Sequence, residues 1–123
     1  MTEHEIFDSN VWIDYLIKGS FSDKIEQDDI FSISSFSLFE IKKKLLRNKM
    51  LGKREIEEKM SFIKSKSIVV NVDEKISEKA AEISEEKGLG AGDAIIYASA
   101  IINNSVLLTL DNDFRGLDKV KVL

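Results

Sequence analysis

Short apolar runs alternate along the chain with longer stretches in which apolar residues return every third or fourth position. Five runs have strand character: "EIFD" (5–8), "DIFSISS" (29–35), "SIVVNV" (67–72), "SVLLTL" (105–110) and "KVKVL" (119–123). Each is brief, apolar and rich in β-branched residues. Between them the helical period predicts helices over 10–18, 22–28, 36–49, 52–65, 74–87 and 93–103. Ser35 is the expected N-cap of the third of these. In the fourth, Ile56, Met60 and Ile63 fall four and three apart. In the fifth, Ile76, Ala80 and Ile83 repeat the pattern, and Gly88 supplies a C-cap. The last helix contains "AIIYASAII", apolar nearly all round, and belongs in the centre of the molecule.

Strands that alternate with helices predict an α/β domain with a largely parallel sheet. The first and fourth runs are apolar without alternation, as expected of strands covered on both faces. The connection before the last strand, 111–118, is short for a parallel crossover, which needs ~10–12 residues. The sequence therefore leaves the direction of that strand open. No linker, repeat or low-complexity segment divides the 123 residues, so one domain over 1–123 is expected.

Composition narrows the chemistry. There is no Cys, so neither disulfides nor thiolate catalysis enter, and the single His4 stands in an N-terminal segment expected to be mobile and without partners for a metal site or triad. No apolar run reaches the ~20 residues of a membrane helix. No signal peptide is visible, and the expected location is the cytoplasm. The net charge of −4 argues against a protein that simply coats phosphates. It leaves room for a nucleic-acid enzyme, because bound divalent cations invert the local field.

Four acids are placed for chemistry. In open α/β sheets, sites form beyond the carboxyl ends of the strands. Asp8 ends the first strand and Asp111 follows the fourth. Asp93 lies in the first turn of the buried helix, whose N-terminus must return to the edge where Asp111 sits. Glu40, among Phe36, Phe39 and Ile41, is early in the helix after the second strand. Singly, each has an ordinary explanation: helix caps or first-turn acids for Asp8 and Asp93, a turn for Asp111, a pairing with Lys43 or Lys44 one turn on for Glu40. Together they predict four carboxylates on one edge. Two such charges ~4 Å apart repel by about 4 kcal/mol at an effective dielectric near 20. Oxygen-only ligands select hard cations, Mg²⁺ or Mn²⁺, and a hard-metal site suits phosphoryl transfer.

"FDSNVWIDYL", "SLFEIKKKLL", "GAGDAIIYASAI" and "LLTLDNDF" resemble, in order and spacing, the four acidic motifs of PIN-domain ribonucleases, most of all the VapC-type toxins of toxin–antitoxin pairs. The resemblance implies a three-layer α/β/α sandwich with a mostly parallel five-stranded sheet in the order 3-2-1-4-5. It implies Mg²⁺- or Mn²⁺-dependent cleavage of single-stranded RNA, an antitoxin partner and a homodimer. Carried over by position, Asp8, Glu40, Asp93 and Asp111 match the family's catalytic and metal-binding acids. The resemblance further implies a secondary metal ligand at Asp113 and support of the first acid by Ser9 and Asn10. "GLGAGD" is richer in Gly than the family's usual "GLSAAD", which implies a looser helix start.

The remaining features carry weaker expectations. Lys42, Lys43 and Lys44 with Arg47 form either a solvated face or a rim that steers RNA. Trp12, Tyr15 and Leu16, with Phe21, Ile25, Met60, Phe62 and Ile63 on the peripheral helices, serve as core or as an interaction surface. Asp14 reads as a surface acid, and Arg115 as a partner of Asp118 or of a phosphate. Alternatives are a PIN-domain protein of RNA processing, a non-catalytic PIN scaffold, and a receiver-like Mg²⁺-binding module. The last would need Asp73 as its phosphoacceptor.

Overall fold

The computed structural model describes residues 4–27 and 30–123. The strands are β1 (Glu5–Phe7), β2 (Phe31–Ser34), β3 (Ser67–Val70), β4 (Val106–Thr109) and β5 (Val120–Val122). The helices are α1 (Ser9–Lys18), α2 (Ser22–Ile25), α3 (Ser35–Arg47), α4 (Lys53–Ser65), α5 (Glu74–Lys87) and α6 (Ala91–Ile102). The expected starts at Asp29 and end at Asp28 of neighbouring elements lie outside the described residues. The sheet runs β3-β2-β1-β4-β5, with every pairing parallel. This is the α/β/α sandwich that the resemblance implies. It is not the 2-1-3-4-5 order of receiver domains, and Asp73 serves as the N-cap of α5, accepting from Ile76 N–H at 2.9 Å.

The sheet's pleat divides the core in two. Ile6 and Leu107 pair across β1 and β4 and point to the layer of α5 and α6, where Ile76, Ile83, Ile96 and Tyr97 cover them. Their neighbours Phe7 and Leu108 point to the other face, against Trp12, Phe31, Ile41 and Ile63. Phe7 stacks on Phe31 with centroids 4.4 Å apart. Successive side chains of a strand face opposite ways, so a run with no polar alternation buries both faces. Of the peripheral apolar residues, Trp12, Ile25, Met60 and Ile63 are core, and Tyr15 packs flat on Phe62 at 5.8 Å. The large apolar side chains left in water are others: Met50 (87% exposed), Leu46 (62%), Ile30 (58%), Phe39 and Ile68 (57% each), and, less so, Ile17 and Leu123.

β5 is parallel to β4 although its connection is short. The chain makes a 3-10 turn at Asn112–Phe114, drops the fully buried Phe114 ring into the core, and reverses through Gly116 and Lys119, both with positive φ (88° and 57°). A compact turn anchored by one aromatic replaces the usual crossover helix. Three local expectations also need correction. Ser34, not Ser35, caps α3, its Oγ accepting from Phe36 N–H at 3.2 Å, and Ser35 instead accepts from Val72 N–H. His4 is tied in: its carbonyl accepts from Val106 N–H at 2.8 Å and its ring nitrogen hydrogen-bonds the Ser32 hydroxyl. Arg115 donates to the Asn112 side chain at 2.7 Å; among the described residues it has no ion pair with Asp118.

Candidate active site

The carboxyl edge of the sheet gathers the acids. Asp8 leaves β1 and caps α1: its Oδ1 accepts from Ser9 N–H at 2.8 Å. Its Oδ2 accepts from the Thr109 hydroxyl at 2.8 Å and, at 3.4 Å, from the Asn10 amide. Thr109 closes β4 and is fully buried. Its oxygen in turn accepts from Asp111 N–H at 3.0 Å. Asn10 Oδ1 accepts from Leu110 N–H at 3.1 Å. Asp8, Asn10 and Thr109 therefore pin the end of β1 to the end of β4. Ser9 Oγ donates to Glu40 Oε1 at 3.1 Å, which draws α3 to the same corner. Glu40 is not the partner of a neighbouring lysine; among the described residues it makes no ion pair.

Asp93 enters in the first turn of α6, and Asp111 and Asp113 flank the start of the 3-10 turn, where Asp111 Oδ1 accepts from Asp113 N–H at 2.9 Å. One carboxylate oxygen from each of Asp93, Asp111 and Asp113 lies within 4.8 Å of the others. Asp113 thus joins the tightest group, while the Asp8 oxygens are engaged in hydrogen bonds beside it. Thr109 is the site residue that sequence reading missed. A lone hydroxyl between leucines in "LLTLD" has no pattern; the only signal was a polar residue at a position buried on both sheet faces.

Electrostatics show the strain of this gathering. Asp93 is pushed up to about 6, by burial first and then by the charges of Asp111, Asp8, Asp113 and Glu40. Burial also raises Asp8, against the opposing hydrogen bond from Thr109. Glu40 is raised by burial more than the Ser9 hydroxyl lowers it. Among the described residues no Lys, Arg or His forms an ion pair with any of the five acids. An oxygen-only donor set with uncompensated negative charge fits a hard divalent cation.

These shifts set a pH dependence. Between the ordinary Asp value and about 6, Asp93 is protonated in the native state and ionised in the unfolded one. Stability must then fall as pH rises through that window. Without added metal, the loss from pH 4 to 7 is expected to be on the order of 1 kcal/mol after allowance for solvent screening. In Asp93→Asn that part of the slope should vanish. Urea titrations at several pH values measure it; a parallel pH profile in the variant would show that Asp93 is not the strained group.

The basic run does not converge on the acids. Lys44 turns toward the groove between α1 and α3, beside Ile13, Ile17 and Asn48. Lys42, Lys43 and Arg47 line another groove between α3 and α4, with Lys64 opposite. Asp14 pairs with Lys18 at 3.5 Å on the surface.

Comparisons with known proteins agree with the fold. The chain resembles the structure of a toxin–antitoxin complex from Klebsiella pneumoniae, with a TM-score of 0.78, 22% identity and 96% of each chain covered. VapBC2 from Rickettsia felis bound to a promoter DNA fragment gives 0.77 and 22%, over 97% of this chain and 96% of that one. Mycobacterium tuberculosis VapC20, a Sarcin-Ricin loop cleaving toxin, gives 0.69 and 17%, over 93% and 95%. No curated protein sequence matches. The family model of the PIN domain matches residues 6–120, nearly the whole chain, and the protein belongs to the PIN domain family.

Proposed function

We propose that this protein is an Mg²⁺- or Mn²⁺-dependent endoribonuclease of single-stranded RNA and the toxin of a toxin–antitoxin pair. The observation that carries the reading is the convergence of Asp93, Asp111 and Asp113 within 4.8 Å, with Asp8 and Glu40 beside them, on a PIN fold. The choice of RNA rests on the likeness to VapC-type toxins, one of which is a Sarcin-Ricin loop cleaving toxin.

Asp93, Asp111 and Asp113 would hold the cation, and Asp8 completes the negative field. When bound, the cation supplies Lewis-acid charge for phosphodiester hydrolysis. Thr109 and Asn10 keep the Asp8 carboxylate aimed along the edge of the sheet. Glu40, raised by burial and held by Ser9, is the proton acceptor for the attacking water.

A ribonuclease of this kind needs restraint in its own cell. The proposed antitoxin is a small protein with a basic amphipathic segment. Its proposed seat is the groove between α1 and α4, where Tyr15, Leu16 and Phe62 are edged by Glu26, Glu55 and Glu58 against the single cation Lys59 among the described residues. An Arg of that segment set against the acids would replace the metal's charge. Exposed Ile17, Leu46 and Met50 supply apolar surface for a homodimer, read by light scattering.

The test is cleavage of defined single-stranded RNAs and DNAs by the purified chain in Mn²⁺ and in EDTA. Cleavage of RNA in Mn²⁺ alone is the expected result. Saturating Mn²⁺ should also raise the melting temperature, by about 2.7 kcal/mol of stabilisation at a hundred times its Kd, and Asp93→Asn should lose that gain. A metal-dependent melting shift without cleavage of any RNA would favour the non-catalytic scaffold. Cleavage by a protein that is monomeric, harmless in its host and without a small partner would favour RNA processing.

A further inference from the structure

The flank of α3 beside the acids carries a pair of aromatic rings that hydrolysis does not require. Phe36 and Phe39 stand three residues apart, one turn of the helix, with centroids separated by 5.8 Å and planes tilted by 34°. Phe36 leans against the first turn of α6. A Cβ at Gly92 would meet Phe36 Cε2 at 3.1 Å, with Glu40 Oε2 at 3.8 Å. Gly92 is inside a helix, where glycine is a poorer former than alanine. Its use here is its size: it lets an aromatic ring and two acids, Glu40 and the adjacent Asp93, share one corner.

Phe39 continues the surface outward. It is 57% exposed, and the Lys43 ammonium lies 5.6 Å from its ring centroid. Beyond it, Lys42, Arg47 and Lys64 line the α3–α4 groove together with Leu38, Leu46 and Met60, and among the described residues no acid lines it. Aromatic faces beside a cationic track are how proteins hold single strands: bases stack on the rings and phosphates follow the charges. The acidic cluster by itself repels a polyanion, so an anchor for the strand has to lie next to the cluster rather than in it.

We propose that Phe36 and Phe39 form a stacking shelf for an unpaired base next to the scissile phosphate of RNA, with Lys43 meeting that nucleotide's phosphate. The proposal rests on the ribonuclease reading and adds the surface that grips the substrate. RNA is favoured over an apolar protein segment because the shelf joins the acids through Glu40 and Gly92, and the charged residues described along the adjoining α3–α4 groove, Lys42, Lys43, Arg47 and Lys64, are all cations.

Binding is measured with short single-stranded RNAs carrying a fluorescent adenine analogue that is quenched on stacking, using Asp93→Asn so that the strand survives. Quenching is expected. Adding Phe39→Ala should weaken binding about tenfold and relieve the quenching, and Phe39→Tyr should restore both. In the otherwise native enzyme, Phe39→Ala should raise KM about tenfold and leave kcat unchanged, the mark of lost uniform binding. If the native chain cleaves RNA and Phe39→Ala changes neither KM nor quenching, the shelf is wrong and the ribonuclease stands. If Phe39→Ala instead abolishes self-association at unchanged KM, the face docks protein and the shelf is overturned. If the native chain cleaves no RNA and Asp93→Asn binds none, both readings fall.

Discussion

Asp93→Asn is expected to lower kcat/KM for RNA cleavage by at least about a hundredfold, with the fold intact. Asp93 is pushed up to about 6 by burial and four neighbouring carboxylates. An Asn keeps the shape and the helix start but removes the charge that opposes a cation. Asp8→Asn, Glu40→Gln and Asp111→Asn should also lose most activity. Asp113→Asn is expected to lose at least about tenfold, since its carboxylate stands in the tight group with Asp93 and Asp111. Asp118→Asn, at an exposed position near β5, is the control and should cleave normally. In EDTA, Asp93→Asn should melt no lower than the native chain, because it relieves repulsion. Native rates in both Asp93→Asn and Asp111→Asn would place the chemistry elsewhere; a clear drop in melting temperature for both in EDTA would make these acids structural partners.

The parts of this site that were legible in the sequence are those that a local rule governs. "EIFD" reads as a strand because Ile6 and Phe7 feed opposite faces of the sheet, and Asp8 then stands at the strand's carboxyl end. Asp93 was legible because the apolar "AIIYASAII" has to start its helix at that same edge. The direction of β5 was not, because it depends on Phe114 reaching the core and on positive φ at Lys119, which length rules do not anticipate. The lysine run reads as one patch but is split by helix geometry: successive residues are about 100° apart, so Lys44 and Lys43 face different grooves. Ser34 and Ser35 are both competent caps, and the sequence cannot choose between them; the choice is made by β3, whose continuation at Val72 takes the Ser35 hydroxyl. Thr109 was invisible for the same kind of reason, since its partner Asp8 is 101 residues away in the chain.

Thr109→Val is expected to cost about 2 kcal/mol of stability at neutral pH and to reduce cleavage at least about tenfold. Valine matches the shape of threonine, so packing between β1 and β4 is kept and only the hydroxyl is lost. Asp8 Oδ2 then keeps only the longer contact from Asn10, and Asp111 N–H loses its acceptor. Asp8 is 5% exposed, so water does not readily replace the missing donor. The Thr109 hydrogen bond is the strongest influence that holds the Asp8 carboxyl down against burial, and without it that carboxyl rises further. The destabilisation should therefore be largest where Asp8 is ionised and shrink as pH falls and the carboxyl protonates. Thr109→Ser keeps the hydroxyl and should recover most of both losses. Denaturation at pH 5 and 7, paired with cleavage rates for the two variants, separates these effects. Equal stability and equal cleavage in Thr109→Val and the native chain at pH 7 would mean that the Asp8 carboxylate is oriented without its buried hydroxyl partner.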